Sequence, residues 1–306
     1  VKESSGVDFM VAPRRHVLDT IVAQAAAEAG ATLRMGVTVT GLRQDGHGRV
    51  TGLSARGLDG EPVEIEADVV VGADGLRSRV ARAAGAGLAV SRGRTGTTRY
   101  AYYRVPEWRA IELFVSEGSL AGVFPTHGGE ACIWVCVPDT IARTARHHAG
   151  SGPDSFDRLL QRCAPALAER LSTAARTSPV RGASRLPNQV RQAWGPGWAL
   201  VGDALYHRDP ITGHGISDAY RDAELLAAAL DEGVGDPRRL DRALDRYRLR
   251  TDVARREIFD LTCALGEFPP PGRFVHLQRQ LSVAIETEAT ALAASPVLGH
   301  GRLAVA

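Results

Sequence analysis

The tightest constraint in this chain is the stretch Gly197-Trp198-Ala199-Leu200-Val201-Gly202-Asp203-Ala204, continued by Asp209-Pro210-Ile211-Thr212-Gly213-His214-Gly215-Ile216-Ser217. Its first half is a short apolar run ending in Gly-Asp, the pattern of a buried strand whose carboxylate emerges at the carboxyl end. Its second half is a Pro/Gly turn opening a helix from Ser217 to about Leu230, with Ala219, Ala223, Leu226, Ala227 and Leu230 on one stripe. An acid at a strand end can bind sugar-like hydroxyls. Glycines at a helix start let backbone N–H groups approach an electron-rich ring, and the helix dipole favours negative charge there.

A second acid-tipped run lies far upstream. Val69-Val70-Val71 has no polar alternation, as expected of a strand buried on both faces of a parallel sheet. It runs on into Gly72-Ala73-Asp74-Gly75-Leu76-Arg77-Ser78-Arg79, and Ser78 to Ala84 reads as a short helix. Ahead of it, Arg14 to Gly30 has helical periodicity, with Leu18, Ile21, Val22, Ala25 and Ala29 as the apolar stripe and Gly30 as the stop. Strand-like Thr32–Leu42, Arg49–Arg56 and Val63–Ile65, separated by turns at Asp45-Gly46 and Asp59-Gly60, predict a β-meander.

Between the two acid-tipped runs the texture changes. Thr97–Val105, Ile111–Val115, Gly118–Pro125 and Ala131–Val137 read as strands, the last after a turn at His127-Gly128-Gly129-Glu130. Asp154–Ala175 reads as a helix with Phe156, Leu159, Leu160, Leu167 and Leu171 on its apolar side. Strands followed by a helix predict a separate domain on an antiparallel sheet. After the glycine loop, Leu240–Leu265 and Gln278–Ala294 read as long helices, separated by Phe268-Pro269-Pro270-Pro271-Gly272.

A length of 306 residues allows one large or two ordinary domains, and a net charge of +2 without a basic block gives no reason to expect nucleic acid. Cys132, Cys136, Cys163 and Cys263 show no metal-ligand spacing, so free thiols in a reducing cytoplasm are expected. No apolar run approaches the roughly 20 residues of a membrane span.

Gly-Ala-Asp-Gly followed by Arg-Ser at the first run, with the Gly-Asp and Pro-x-x-Gly-x-Gly stretch at the second, resembles the single-component, aromatic-hydroxylase-like FAD-dependent flavoprotein monooxygenases. Arg15, three residues before Leu18 on the first helix, matches another feature of that family. The resemblance implies an α/β fold: an FAD-binding Rossmann-like domain (residues 1–90 and 192–306), an inserted antiparallel-sheet substrate domain (residues 91–191) and C-terminal helices. It implies that Arg15 contacts the pyrophosphate or ribityl region and that backbone near Val39 meets the adenine. Asp74 would help close the flavin pocket, and Gly202 and Asp203 would hold the ribityl chain. Pro210, Gly213, Gly215, Ile216 and Ser217 would line the ring, Ser217 standing where the family often has asparagine. Tyr102, His127 and Trp134 would line the substrate pocket under the sheet. No catalytic base is assigned.

The activity implied is monooxygenation: NAD(P)H reduces the flavin, and a C4a-hydroperoxide then hydroxylates or epoxidises an aromatic or polyketide-like small molecule. A flavin-dependent reductase or halogenase of the same superfamily, or a flavin-free remnant, are the alternatives. One departure stands out. The family opens with a strand, a GxGxxG turn and a helix that binds pyrophosphate, and the residues before Val11 do not supply it. The chain thus resembles the family's without its first βαβ portion, with weakened flavin affinity as the expectation.

Overall fold

The computed structural model describes residues 11–94, 96–149 and 153–293. They divide into two compact units. One holds residues 11–33, Arg94–Leu186 and Leu261–Val283; the other holds Arg34–Gly93, Pro187–Asp260 and residues 284–293.

In chain order, helix α1 (Arg15–Glu28) ends where the Gly30 N–H returns to the Ala27 carbonyl at 3.0 Å, the stop expected from the sequence. None of its residues is buried, and Ile21 and Val22 of the expected apolar stripe are 59% and 42% exposed. Strands β1 (Thr38–Gln44), β2 (Val50–Arg56) and β3 (Pro62–Glu66) form the expected antiparallel meander. The Asp45 carboxylate builds its first turn by accepting the N–H groups of His47 and Arg49, each at 2.9 Å. Strand β4 (Val70–Gly72), helix α2 (Arg79–Ala83) and strand β5 (Leu88–Arg94) follow. The Ser78 hydroxyl accepts the Ala81 N–H at 2.8 Å and so fixes the start of α2.

Strands β6 (Gly96–Arg104), β7 (Glu112–Ser116), β8 (Ser119–Pro125) and β9 (Glu130–Pro138) join β10 (Arg181–Ser184) in an antiparallel sheet ordered β10-β6-β9-β8-β7. Helices α3 (Asp139–Ala149), α4 (Pro153–Cys163) and α5 (Pro165–Arg170) lie between β9 and β10 in the chain. The single helix expected over Asp154–Ala175 is divided because Pro165 lacks an N–H and starts α5 instead. Its apolar side behaves as expected: Phe156, Leu159, Leu160, Leu167 and Leu171 are buried against Ala101, Tyr103, Ile133, Val135 and Val137 of the sheet.

The second unit resumes with β11 (Pro187–Arg191), β12 (Trp194–Gly195), β13 (Trp198–Leu200) and β14 (Tyr206–His207). Its strands form the sheets β12-β13-β4 and β14-β11-β5. Helices α6 (Gly215–Gly233), α7 (Pro237–Gly266) and α8 (Pro271–Ala293) complete the described chain. The Asp236 carboxylate caps α7 through the N–H groups of Arg238 and Arg239, and Pro271 opens α8 at the predicted proline break. Among the described residues no helix is long and apolar enough to cross a membrane.

Two further expectations are corrected. Strand β4 is not buried on both faces: Val70 is 5% exposed, while Val71, which points to the opposite face, is 36% exposed. The inward stripe of α6 is not the alanine-rich one. Ala223 and Ala227 are exposed, while Asp218, Arg221, Asp222, Leu226 and Ala229 are buried, because charged side chains on that face neutralise one another.

Candidate functional site

The two acid-tipped runs are neighbours. Strands β4 and β13 pair in parallel, with Val70 opposite Trp198 and Gly72 opposite Leu200. The Val201 N–H extends the ladder to the Gly72 carbonyl at 3.0 Å. Asp74 and Asp203 therefore leave the sheet at the carboxyl ends of adjacent parallel strands, where open α/β sheets bind ligands. Asp74 is exposed, and its carboxylate accepts the N–H groups of Arg79 at 2.6 Å and Val80 at 3.2 Å. Partial burial pushes the Asp74 carboxyl up, but hydrogen bonds from Ser78 and from the backbone at Val80 and Arg79 outweigh it and hold the pKa below the ordinary value.

Asp203 is exposed in the tight turn Gly202–Ala204. Gly202 makes that turn possible: its φ is +57°, and a Cβ there would stand 3.2 Å from the Ala219 Cβ on α6. Downstream, Asp209 is 2% exposed; its carboxylate accepts the Ile211 N–H at 2.9 Å, and its own N–H donates to Asn188 Oδ1 at 2.7 Å. This pins the Pro210–Thr212 turn, which leaves through Gly213 at φ +71°. Helix α6 begins at Gly215 without a side-chain cap from His214. A Cβ at Gly213 or Gly215 would meet nothing within 4 Å, and Pro210, Ile216 and Ser217 are exposed. The backbone of this loop thus borders open space at the positive end of a long helix. Burial, reinforced by the Arg208 charge, lowers the pKa of His214, so its ring is neutral at pH 7.

Directly behind this loop is a buried ionic network that the sequence reading missed. Arg208 donates through Nε to Asp218 Oδ2 at 2.7 Å, and its Nη2 lies 2.6 Å from the same oxygen. Arg221 Nη1 reaches Asp218 Oδ1 at 3.0 Å and Glu288 Oε1 at 2.5 Å, while its Nη2 reaches Asp222 Oδ1 at 2.7 Å. Arg208, Asp218, Arg221 and Asp222 are all at most 6% exposed. Burial pushes the Asp222 carboxyl up to about 6 against the opposing pull of Arg221. The one sequence signal for this network is the i, i+3 and i, i+4 spacing of Asp218, Arg221 and Asp222 at the start of a helix.

The remaining residues singled out in the sequence divide between the units. In the unit of the parallel strands, the Val39 carbonyl accepts from Arg79 Nη1 at 3.1 Å, so Arg79 links β1 to the Asp74 turn. In the other unit, Arg15 is exposed and pairs with Asp19 at 2.7 Å. Its neighbour Arg14 turns to the sheet instead, 4.1 Å from the Tyr102 ring centroid and 2.7 Å from Glu130 Oε2. Tyr102 and Trp134 share one sheet face, since Tyr102 pairs with Cys132 and Tyr100 with Trp134. Trp134 packs on Phe124 with ring centroids 5.5 Å apart. Burial raises the Tyr102 pKa, with Cys132 adding to it and Arg14 opposing. His127 sits exposed in the turn before β9, its ring edge-on to His16 at 5.6 Å.

Parallel acid-tipped strands, a glycine loop at a helix start and a separate antiparallel sheet define a flavin-binding class of α/β protein, and the chain belongs to the family described as FAD binding domain, which matches residues 2–257. Among curated relatives it is 28% identical over 242 residues to a digeranylgeranylglycerophospholipid reductase of Methanothrix thermoacetophila, covering 76% of this chain and 58% of that protein. It is 29% identical over 238 residues to the ubiquinone hydroxylase UbiL of Rhodospirillum rubrum, covering 74% of this chain and 51% of that one. Among solved structures, the flavin-dependent brominase Bmp2 superposes with a TM-score of 0.75 at 19% identity, over 92% of this chain and 71% of its own, a likeness of fold. The chain spans little more than half the length of the curated relatives it matches.

Proposed function

We propose that this chain forms the greater part of an FAD-dependent, NAD(P)H-using monooxygenase that hydroxylates or epoxidises an aromatic or polyketide-like small molecule. The observation that carries the reading is the parallel pairing of β4 and β13, which delivers Asp74 and Asp203 to one sheet end beside the glycine loop. The residues there fit the ribityl and ring portions of FAD. Asp203 presents an exposed carboxylate for hydroxyls, Gly213 and Gly215 leave space that side chains would fill, and the uncapped first turn of α6 offers N–H groups at its positive end.

When bound, FAD supplies the redox and oxygen chemistry. This chain's own residues bind and orient. Gly202 and Asp203 hold the ribityl hydroxyls, and Pro210, Gly213, Gly215, Ile216 and Ser217 border the ring. Asp74 fixes the facing turn, with Val39 on the adenine side and Arg15 toward the phosphates. Tyr102, Trp134 and His127, in the other unit, are assigned to the substrate. A reducing cytoplasm is the compartment we assign, since none of the four cysteines is disulfide-bonded.

A reductase reading is kept because relatives such as the Methanothrix enzyme are named reductases. Oxygen uptake coupled to NAD(P)H oxidation in the presence of aromatic substrates supports the monooxygenase; substrate reduction without oxygen uptake supports the reductase. Asp203→Ala is expected to leave the purified protein without flavin absorbance while its circular dichroism is preserved. Full flavin content in that variant would remove Asp203 from its assigned role.

A further inference from the structure

Between the Asp74 turn and the Asp203 turn stands an arginine that neither motif contains. Arg191 ends β11, where its N–H donates to the Leu205 carbonyl at 2.8 Å. Its guanidinium then forks. Nη1 donates to the Ala204 carbonyl at 3.2 Å, one residue after Asp203, and Nη2 donates to the Leu76 carbonyl at 3.3 Å, two residues after Asp74. The Gln189 side-chain amide, oriented with its oxygen toward Arg191, accepts from Nη1 and Nη2, each at 3.0 Å. Both turns lie outside the strand ladder, so their carbonyls need donors from elsewhere. A planar guanidinium with several donors in fixed directions can serve both at once, and a lysine ammonium cannot span them with the same geometry.

We propose that Arg191 is a positioning residue: it holds the Asp74 and Asp203 turns at a set spacing, so that they form one surface for the cofactor. The inference rests on the flavin-site reading above. Its cause is local. Burial and the Arg82 charge oppose the Arg191 cation, and the Asp74 carboxylate favours it. Gln189, 8% exposed, aims the fork from behind. Without the bridge, the strands stay paired through Trp198–Leu200 and Val70–Gly72, while the Ala204 and Leu76 carbonyls lose the donor group they share.

The test uses the full-length protein with Arg191→Lys and Gln189→Leu, titrated with FAD and followed by flavin fluorescence, visible circular dichroism of the bound flavin and thermal unfolding of the flavin-free protein. Arg191→Lys is expected to weaken FAD binding about tenfold or more and to change the visible dichroism of the bound flavin, with a smaller loss for Gln189→Leu. A merely structural role would lower the unfolding temperature but leave the dichroism of the saturated protein as in wild type. Wild-type affinity and wild-type dichroism in Arg191→Lys would overturn the proposal. Should Arg191→Lys not fold, Gln189→Leu decides alone: changed dichroism sustains the proposal and unchanged dichroism overturns it. A full-length wild type that takes up no FAD would instead remove the flavin-site reading, and the inference with it.

Discussion

Asp218 is the residue whose loss should be felt most. Its carboxylate, 5% exposed, faces two guanidinium groups that are 6% and 3% exposed, and it takes Arg208 through one oxygen and Arg221 through the other. Asp218→Ala leaves those cations buried with one carboxylate fewer. Breaking a buried pair from one side costs about 3–5 kcal/mol, because the surviving charge has already lost its water. Arg221 still holds Asp222 and Glu288, which sets the loss near the lower end, about 3 kcal/mol. At roughly 2–4 °C per kcal/mol for a chain of this size, the unfolding midpoint should fall by roughly 6–12 °C. Guanidinium titration at pH 7 gives the free energy and a thermal scan gives the midpoint. A paired replacement, Arg208→Met with Asp218→Leu, should recover much of the loss, since removing both charges also removes their desolvation. If Asp218→Ala unfolds within about 1 kcal/mol of wild type, the network is not dry and the reasoning fails.

Other consequences are equally direct. Asp222, raised from 3.8 to about 6 in the folded state, binds its proton more tightly there than in the unfolded chain. Its contribution to stability is full below pH 3.8 and is lost as pH rises through about 6. Asp222→Asn should therefore gain on wild type over that window when the two are compared by denaturant titration, and parallel curves would show that the carboxyl is not perturbed. Gly213→Ala meets no steric obstacle but places a Cβ at φ +71°, so a loss of about 1 kcal/mol is expected. It should also lower flavin content, because the methyl group enters the space the loop leaves open; unchanged content would separate Gly213 from the cofactor.

Much of the architecture was legible because it is written in local periodicity. The meander announces itself by alternating strands and Asp-Gly turns, and Phe156, Leu159, Leu160, Leu167 and Leu171 pack as their spacing requires. What was lost has physical causes. Strand β14 (Tyr206–His207) has two residues and β10 (Arg181–Ser184) four, so neither spans enough of a pleat to leave a pattern. Helix α3 (Asp139–Ala149) has only Ile141 and three alanines as apolar residues, where α4 has Phe156, Leu159, Leu160 and Cys163, so its stripe is faint. Val69-Val70-Val71 signals apolar character but not how many faces are covered; that depends on what packs above and below the strand, and Val71 is left 36% exposed.

The site follows the same division. The turns that carry Asp74 and Asp203 and the bend at Gly213 were readable because each is built from its own backbone and the next few residues, and local chemistry leaves a local mark. Arg191 and the network of Arg208, Asp218, Arg221, Asp222 and Glu288 were not, because their partners lie up to 115 residues away, as Leu76 does from Arg191. An arginine in a sequence reads as surface charge until the carbonyls or carboxylates that surround it are known. Yet these residues set the boundary conditions for the readable ones. Arg191 ties the two turns to each other, and the Arg208–Asp218 pair anchors the first turn of α6 from behind. The loop between them can therefore keep its shape while Pro210, Gly213, Ile216 and Ser217 remain exposed: the charges that hold it are paired with buried partners.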